Sequence, residues 1–255
     1  MLLRAQDIGK RFGGVAALEA VDVELERGAV HAIIGPNGAG KTTLLNVLSG
    51  IYKPDSGSIS FENQELTGKS PHQFAAAGIS RTFQNLQVFF NMTVLENVMT
   101  GRWLHERCGL ASALLRLPGL ARAEQACRQA AAALLDTVGL ARWADARADS
   151  LPYGALKRLE IARALAAEPR LLLLDEPAAG LNPRETREID ELIRHTAARG
   201  VTVVLVEHNM KLVMEVSHHV MVLDYGRKLA EGEPRAVSRD PRVIEAYLGT
   251  EACST

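Results

Sequence analysis

The sequence predicts an α/β fold organised around buried strands, and three stretches carry that prediction. Residues 29–34 form an apolar run that predicts a buried strand, and a glycine-rich segment, residues 35–43, follows it directly. The next residues, up to position 48, have the composition of a helix. Residues 171–174 are four leucines, and residues 201–206 are apolar apart from Thr202; both runs have the length of fully buried strands. Buried strands that alternate with helices are typical of an open α/β sheet.

Length and composition limit the possible classes of protein. The chain has 255 residues, of which 47% are apolar, so it can bury a full core as one domain. Its formal charge of −1 offers no basic excess for nucleic acid, so we expect no nucleic-acid partner. Cys108, Cys127 and Cys253 lack metal-ligand spacing and fit a reducing cytosol. Because no signal peptide or run of roughly 20 apolar residues is present, we expect a soluble chain that reaches a membrane only through a partner.

The segment of residues 35–43 has the spacing of a phosphate-binding loop. Gly35 is followed by four residues and then by Gly40, Lys41 and Thr42. Glycines let the backbone turn with its N–H groups pointing inward, which forms a cradle for anionic oxygens. Lys41 would reach the β- and γ-phosphates, the Thr42 hydroxyl would hold Mg²⁺, and the helix N-terminus adds further donors. The alternative is an ordinary glycine-rich turn, which the strand before and the helix after argue against.

Two adjacent carboxylates follow the leucine run of residues 171–174. Asp175 and Glu176 would lie at the C-terminal end of this strand, where open α/β sheets bind their ligands. Asp175 would hold Mg²⁺ through its water shell, and Glu176 would orient and deprotonate an attacking water. The alternative is a pair of solvated acids at a strand end, which the phosphate-binding spacing earlier in the same chain argues against.

Three further side chains each allow a functional and a structural interpretation. His208 follows the run of residues 201–206 and could contact a γ-phosphate, or it could be a structural histidine. Gln84 could coordinate Mg²⁺ through its amide oxygen, or it could be an ordinary polar loop residue. Phe12 could stack on an adenine ring, or it could be part of the core. The residues alone leave these alternatives open.

From about residue 92 to residue 148 the composition changes towards helix formers. Residues 121–138 predict a helix that stops at Gly139. Residues 101–120 form a variable excursion to which we assign no role. A second helix is predicted after Leu151-Pro152-Tyr153-Gly154, and its N-terminal N–H groups could face an anion.

The chain resembles the ATP-binding subunits of ABC transporters. It carries, in the order typical of that family, the phosphate loop, Gln84, the helix after residue 154, the Asp-Glu strand and His208. The resemblance implies a P-loop NTPase core of ABC ATPase type, with an N-terminal antiparallel β subdomain and an inserted helical subdomain. Residues 1–255 would form one ABC ATPase domain. Its core and β subdomain would comprise residues 1–91 and 168–255, and its helical subdomain about 92–167.

The resemblance also implies ATP and Mg²⁺ as ligands and a role for each matching residue. Glu176 would be the general base, with His208 as switch and Gln84 as sensor, and Mg²⁺ would be held by Thr42, Gln84 and Asp175. The residues that would bind ATP are Phe12, Gly35, Asn37, Gly38, Ala39, Gly40, Lys41, Thr42 and Thr43. The signature segment, which would face the nucleotide of a partner subunit, is Leu151, Pro152, Tyr153 and Gly154.

Four segments narrow the resemblance to the ATPase subunits of branched-chain (hydrophobic) amino acid uptake systems: residues 81–86, 151–154, 177–183 and 240–249. The chain departs from the general family pattern in two places. The usual signature Leu-Ser-Gly-Gly-Gln becomes Leu-Pro-Tyr-Gly-Ala, in which Pro152 offers neither a hydroxyl nor an N–H. Asn182 replaces the usual aspartate of the D-loop. Both departures agree with the narrower subfamily.

The partners follow from the same resemblance. The chain would close head-to-tail with a second ATPase subunit, identical or related, at the cytoplasmic face of the membrane. Residues 84–98 would receive a coupling helix of the transmembrane permease, and a periplasmic or extracellular solute-binding protein would act indirectly. One alternative is another cargo, such as urea, another amide or a lipid. A second is a soluble ABC ATPase that acts on DNA or the ribosome, although the tandem cassettes or long coiled coil usual in that class are missing.

Overall fold

The computed structural model describes residues 1–105 and 118–251, which fall into two compact units. The first unit contains residues 1–81 and the residues from Arg170 onwards, and the second contains residues 82–169. Cys108, Cys253 and most of the excursion predicted for residues 101–120 lie outside the described residues. The subdomain division predicted at about residues 92 and 167 stays a prediction.

The N-terminal part of the first unit is a four-stranded antiparallel sheet with the order β2-β1-β4-β5. Val21, Val23 and Leu25 are buried while Asp22 and Glu24 between them are exposed. This alternation is that of a half-buried strand, and the sequence of residues 21–25 has the same period of two. The strands are β1 (Leu3–Phe12), β2 (Val15–Leu25), β4 (Ser56–Phe61) and β5 (Gln64–Glu65).

The second sheet of this unit has six strands in the order β10-β9-β3-β8-β7-β6. All neighbouring pairs are parallel except β9 with β10, which is antiparallel. Every residue of β3, β7 and β8 is buried, which explains why their sequences are mostly apolar. The strands are β3 (Val30–Ile34), β6 (Ile79–Arg81), β7 (Leu171–Asp175), β8 (Thr202–Val206), β9 (His219–Asp224) and β10 (Arg227–Gly232).

The helices of the described residues are short or amphipathic, and none is both long and apolar enough to cross a bilayer. The helix predicted for residues 121–138 is confirmed as α4, which ends two residues before Gly139. In chain order the helices are α1 (Lys41–Leu48), α2 (Pro71–Ala76), α3 (Val94–Gly101), α4 (Pro118–Thr137), α5 (Tyr153–Leu165), α6 (Pro183–Ala198), α7 (Met210–Val216), α8 (Pro234–Val237) and α9 (Pro241–Glu251).

The core of the first unit lies on both faces of the six-stranded sheet. On one face, Ile33 of β3 belongs to a cluster that includes Leu44 and Leu48 of α1. On the other face, Ile34 packs in a cluster with Val213 of α7 and residues of α8 and α9. Adjacent residues of a strand point to opposite faces, so a five-residue strand can join two cores. The segment of residues 35–43 therefore leaves a strand that is fixed from both sides.

The second unit is a helical bundle in which α3 contacts both α4 and α5. The helix α3 begins at a capping box in which Thr93 accepts from the Glu96 amide and Glu96 accepts from the Thr93 amide. Short 3₁₀ turns at Trp103–His105, Ala141–Trp143 and Ala148–Ser150 complete the unit. The unit contains the predicted signature segment and Gln84.

Candidate functional site

The phosphate-binding loop requires glycine at two of its positions. It leaves β3 at Ile34 and enters α1 at Lys41. Gly35 and Gly40 have φ values of 149° and 101°, and side chains rarely adopt such backbone conformations. A Cβ atom on Gly35 would lie 2.1 Å from the Leu223 carbonyl oxygen, and one on Gly40 would lie 2.6 Å from that of Ala17. The glycine spacing seen in the sequence thus has a steric cause.

Lys41 is folded back into this loop. Only 6% of the residue is exposed, and its Nζ donates to the carbonyl oxygens of Gly35 at 2.7 Å and Pro36 at 2.8 Å. Burial lowers the pKa of Lys41, and the nearby charges of Glu176 and Asp175 oppose that shift. The ammonium group is therefore held between loop carbonyls and the acidic pair, where an anionic ligand could exchange for the carbonyl contacts.

The other predicted ligands of the loop differ in their exposure. Ala39 is buried, and its amide donates to the Pro36 carbonyl oxygen at 3.2 Å. Asn37, Gly38 and Thr42 are exposed, and Thr43 is half-buried. The loop thus presents a polar outer edge on a fixed backbone.

Asp175 is the last residue of β7 and is 2% exposed. One of its carboxylate oxygens accepts from Arg81 at 2.9 Å. Arg81 also donates to the Asn46 side chain at 2.6 Å and to the Ser49 hydroxyl at 3.1 Å, so it joins β7 to α1. Burial lowers the pKa of Arg81, and Asp175 opposes that shift. Sequence reasoning assigned no role to Arg81, because a single arginine before a loop gives no signal of burial.

Glu176 has a left-handed backbone conformation with a φ of 49°. Its amide donates to the Val206 carbonyl oxygen at 2.9 Å, which ties the end of β7 to the end of β8. Its Oε1 lies 2.9 Å from Nε2 of His208, within hydrogen-bonding distance. A non-glycine residue in this region is strained, and such strain occurs often at functional sites. The structure therefore brings the predicted base and the predicted switch into direct contact.

Glu207 binds backbone amides next to both Glu176 and His208, although no sequence motif singles it out. The residue is 3% exposed, and its carboxylate accepts from the amides of Ala178 at 2.8 Å, His208 at 3.1 Å and Asn209 at 3.3 Å. Three backbone donors compensate for the burial of this charge. Glu207 thus fixes the backbone that follows both Glu176 and β8.

Phe12 lies at the end of β1 and is 44% exposed, so it is not part of the core. Its ring meets Tyr52 edge-to-face at a centroid distance of 5.2 Å. The Nζ of Lys10 lies 5.6 Å from the centroid of the Phe12 ring. The structure excludes the alternative of a core phenylalanine and leaves the residue partly exposed.

Gln84 and the signature segment belong to the second unit, whereas the loop and the acidic pair belong to the first. Pro152 is the N-cap of α5 with an extended conformation, and its carbonyl oxygen accepts from the amides of Ala155 at 3.0 Å and Leu156 at 3.1 Å. Pro152 and Tyr153 are exposed, as is Gln84. The segment therefore forms the accessible start of a helix, as the sequence predicts.

Asn182, the residue that replaces aspartate in the D-loop, caps α6. Its side-chain oxygen accepts from the amides of Arg184 at 2.9 Å and Glu185 at 3.0 Å. Glu185 completes a capping box by accepting from the Asn182 amide at 3.1 Å. The replacement thus retains the acceptor that the helix start needs.

A family profile described as ABC transporter matches residues 18–179, which is more than half of the chain. The chain belongs to the ABC transporter family. This membership makes it a nucleotide-binding ATPase subunit of a transporter. A second profile, described as branched-chain amino acid ATP-binding cassette transporter, matches residues 227–253 of this cassette.

Relatives and solved structures match the cassette over nearly its whole length. The high-affinity branched-chain amino acid transport ATP-binding protein LivG of Escherichia coli (strain K12) is 44% identical over 97% of this chain and 98% of its own. The ADP conformation of another ABC transporter cassette is 36% identical, with a TM-score of 0.85 over 97% of this chain and 98% of that one. A dimeric bacterial ABC transporter cassette is 25% identical, with a TM-score of 0.78 over 92% and 99%. The predicted fold class is therefore confirmed.

Proposed function

We propose that this cassette drives the import of branched-chain or other hydrophobic amino acids. The similarity to LivG over 97% of the chain is the observation that carries the choice of cargo. The match of residues 227–253 to the branched-chain amino acid cassette profile agrees with it. Import of urea, another amide or a lipid is the alternative cargo, and no described contact favours it.

The first unit supplies the residues for ATP. The loop amides, Lys41 and Thr43 would hold the phosphates, since Lys41 already faces loop oxygens that an anion could replace. The dipole of α1 adds a favourable field for the phosphates at its N-terminus. Phe12 would stack on the adenine, since the residue is partly exposed. Asn37, Gly38 and Ala39 would complete the loop around the phosphates.

Mg²⁺ would enter together with the nucleotide. Among the described residues no group of three or more His, Cys, Asp or Glu side chains could hold a metal ion. Mg²⁺ is commonly bound by one or two carboxylates together with phosphates and water, so the donor set of Asp175 and the Thr42 hydroxyl fits a nucleotide-bound ion. Gln84 would add its amide oxygen. When bound, the ion would neutralise charge on the phosphates.

Hydrolysis would depend mainly on positioning. Glu176 would orient the attacking water and take its proton, and the His208 contact at 2.9 Å would hold the carboxylate in place. Phosphoryl transfer leaves little covalent work for the protein, so the fixed backbone around Glu207 and Val206 contributes by keeping these groups aligned.

Each site would be completed by a second ATPase subunit. The start of α5 at Leu151, Pro152, Tyr153 and Gly154, of which Pro152 and Tyr153 are exposed, would face the nucleotide of that partner. Because Pro152 has no N–H, the contact would fall to other groups, such as the Gly154 amide or the Ser150 hydroxyl. The similarity to a dimeric cassette supports this arrangement. The second subunit would be another copy or a related chain.

The cassette would bind transmembrane permease subunits at the cytoplasmic face of the membrane, with a solute-binding protein acting indirectly on the far side. Co-purification with the membrane subunits tests the first part of this proposal. Vesicles reconstituted with the complete transporter then test the cargo against a panel of amino acids, urea and a lipid. We expect ATP-dependent uptake of leucine, isoleucine or valine. Uptake of only urea or the lipid would refute the choice of cargo.

A further inference from the structure

Two charged side chains of α5 are buried although the proposed ATP chemistry uses neither of them. Glu160 is 3% exposed and Lys157 is 2% exposed. Burying a charge is costly unless partners compensate for it. Both residues belong to the helix that begins at the signature segment. Their partners therefore show what this helix is built to hold.

Glu160 binds the backbone of the segment that contains Gln84. Its Oε1 accepts from the Phe83 amide at 3.3 Å and from the Gln87 amide at 3.4 Å. Burial raises the pKa of Glu160, while these two amides and the charges of Lys157 and Arg163 oppose that shift. One carboxylate oxygen thus joins two amides that lie on either side of Gln84.

Other contacts fix the same segment, residues 83–89, within the second unit. Lys157 donates from Nζ to the Gln84 carbonyl oxygen at 3.4 Å. The guanidinium of Arg163 lies 5.4 Å from the ring centroid of Phe89. The buried Asn97 of α3 accepts from the Phe89 amide at 2.9 Å and donates to its carbonyl oxygen at 3.0 Å. Residues 83–89 are therefore tied at both ends to helices.

We propose that Glu160 is a positioning residue that anchors residues 83–89 to the signature helix and so sets the position of Gln84. The role of Gln84 rests on the proposed function, but the anchoring does not. A carboxylate suits this task, because hydrogen bonds to an ionised acceptor are roughly twice as strong as neutral ones. Any change in the position of α5 is then transmitted to the Gln84 backbone through Glu160 and Lys157.

Hydrogen exchange on the purified full-length chain tests the anchoring without ATP. Glu160→Met keeps a similar volume but removes the acceptor, and Glu160→Gln keeps a weaker, neutral acceptor. We expect the Phe83 and Gln87 amides to exchange about tenfold faster or more in the Met variant, and by a smaller factor in the Gln variant. Glu168→Gln is the matched control, because Glu168 is an exposed carboxylate of the same unit that pairs with Arg102.

A merely structural role would give a different pattern. Exchange that rises equally along α3 and α5, or that stays at the wild-type rate at Phe83 and Gln87, would overturn the proposal. If the Met variant does not fold, the Gln variant decides by the same comparison. In ATPase assays of the assembled transporter, we expect Glu160→Gln to lower kcat by about threefold or more while KM for ATP changes by less than about twofold. If kcat is lowered but the Phe83 and Gln87 amides exchange at the wild-type rate, the anchoring by Glu160 is refuted. If these amides exchange faster but kcat is unchanged, only the role of Gln84 is refuted.

Discussion

Gly35 and Gly38 lie in the same loop with positive φ values of 149° and 79°, yet they differ in their surroundings. An added Cβ on Gly35 would meet the Leu223 carbonyl oxygen at 2.1 Å, whereas one on Gly38 would meet nothing within 4 Å. The backbone conformation disfavours a side chain at both positions, but only Gly35 also faces a steric conflict with the main chain of β9.

We therefore expect Gly35→Ala to lower the free energy of unfolding by more than the roughly 1–3 kcal/mol attributed to backbone strain alone. Gly38→Ala is the matched control and should lose no more than that range. Chemical denaturation of both variants measures the difference. Equal losses would show that the Leu223 contact does not require glycine.

Asn182 replaces the aspartate usual in the family, yet it still caps the helix α6. Asn182→Ala removes the acceptor for the Arg184 and Glu185 amides, so we expect a loss of about 1 kcal/mol in the free energy of unfolding. Asn182→Asp keeps the acceptor and should match the wild type or exceed it, because a negative charge suits a helix N-terminus. Thermal or urea unfolding measures both. An unaffected alanine variant would contradict the capping role.

His31 in β3 predicts a dependence of stability on pH. Burial and the neighbouring His219 lower the pKa of His31 to about 4, and its Nε2 accepts from the Glu26 amide at 3.0 Å. In the unfolded chain the pKa would be near 6.5, so the unfolded state binds the proton first as pH falls. The contribution of His31 is thus complete above about pH 6.5 and is lost as pH falls towards 4.

We expect the free energy of unfolding to fall by an extra amount on the order of 2 kcal/mol between pH 8 and pH 5 because of His31. His31→Gln keeps an acceptor but does not titrate, so its loss over the same range should be smaller by that amount. Urea unfolding at the two pH values gives the comparison. Identical pH dependence in both proteins would show that His31 does not contribute.

Strands such as β7 and β2 could be predicted from the sequence, because the hydrophobic pattern that indicates each strand lies within the strand itself. The continuous leucines of β7 and the alternation in β2 each report burial directly. The loop of residues 35–43 was equally visible, since the positive φ values of its glycines are a local requirement of the turn, although the carbonyl groups that crowd Gly35 and Gly40 belong to Leu223 and Ala17. The role of Arg81 was not visible, because its partners come from β7 and α1. The role of Glu207 was not visible, because its acceptor contacts include the Ala178 amide in the turn after β7. Their burial depends on the register of β6 with β7 and of β8 with its neighbours.

At the scale of the whole molecule, the predicted site residues divide between two units. The loop, Asp175, Glu176 and His208 come together at the C-terminal ends of the adjacent strands β3, β7 and β8. Gln84 and the signature segment belong to the other unit. The sequence predicts both sets from their order along the chain, but it could not show that Glu160 accepts hydrogen bonds from the amides on either side of Gln84.

As the general base, Glu176 would be required for ATP hydrolysis in the transporter, and Glu176→Gln in the assembled complex tests this role most directly. General-base catalysis contributes about 10²–10⁴-fold, so we expect hydrolysis and uptake to fall by at least about a hundredfold. The ATP dissociation constant should stay near the wild-type value, because Lys41 and the loop remain intact. Glu191→Gln, on the exposed side of α6, should leave hydrolysis unchanged. Hydrolysis by Glu176→Gln at the wild-type rate would contradict the account.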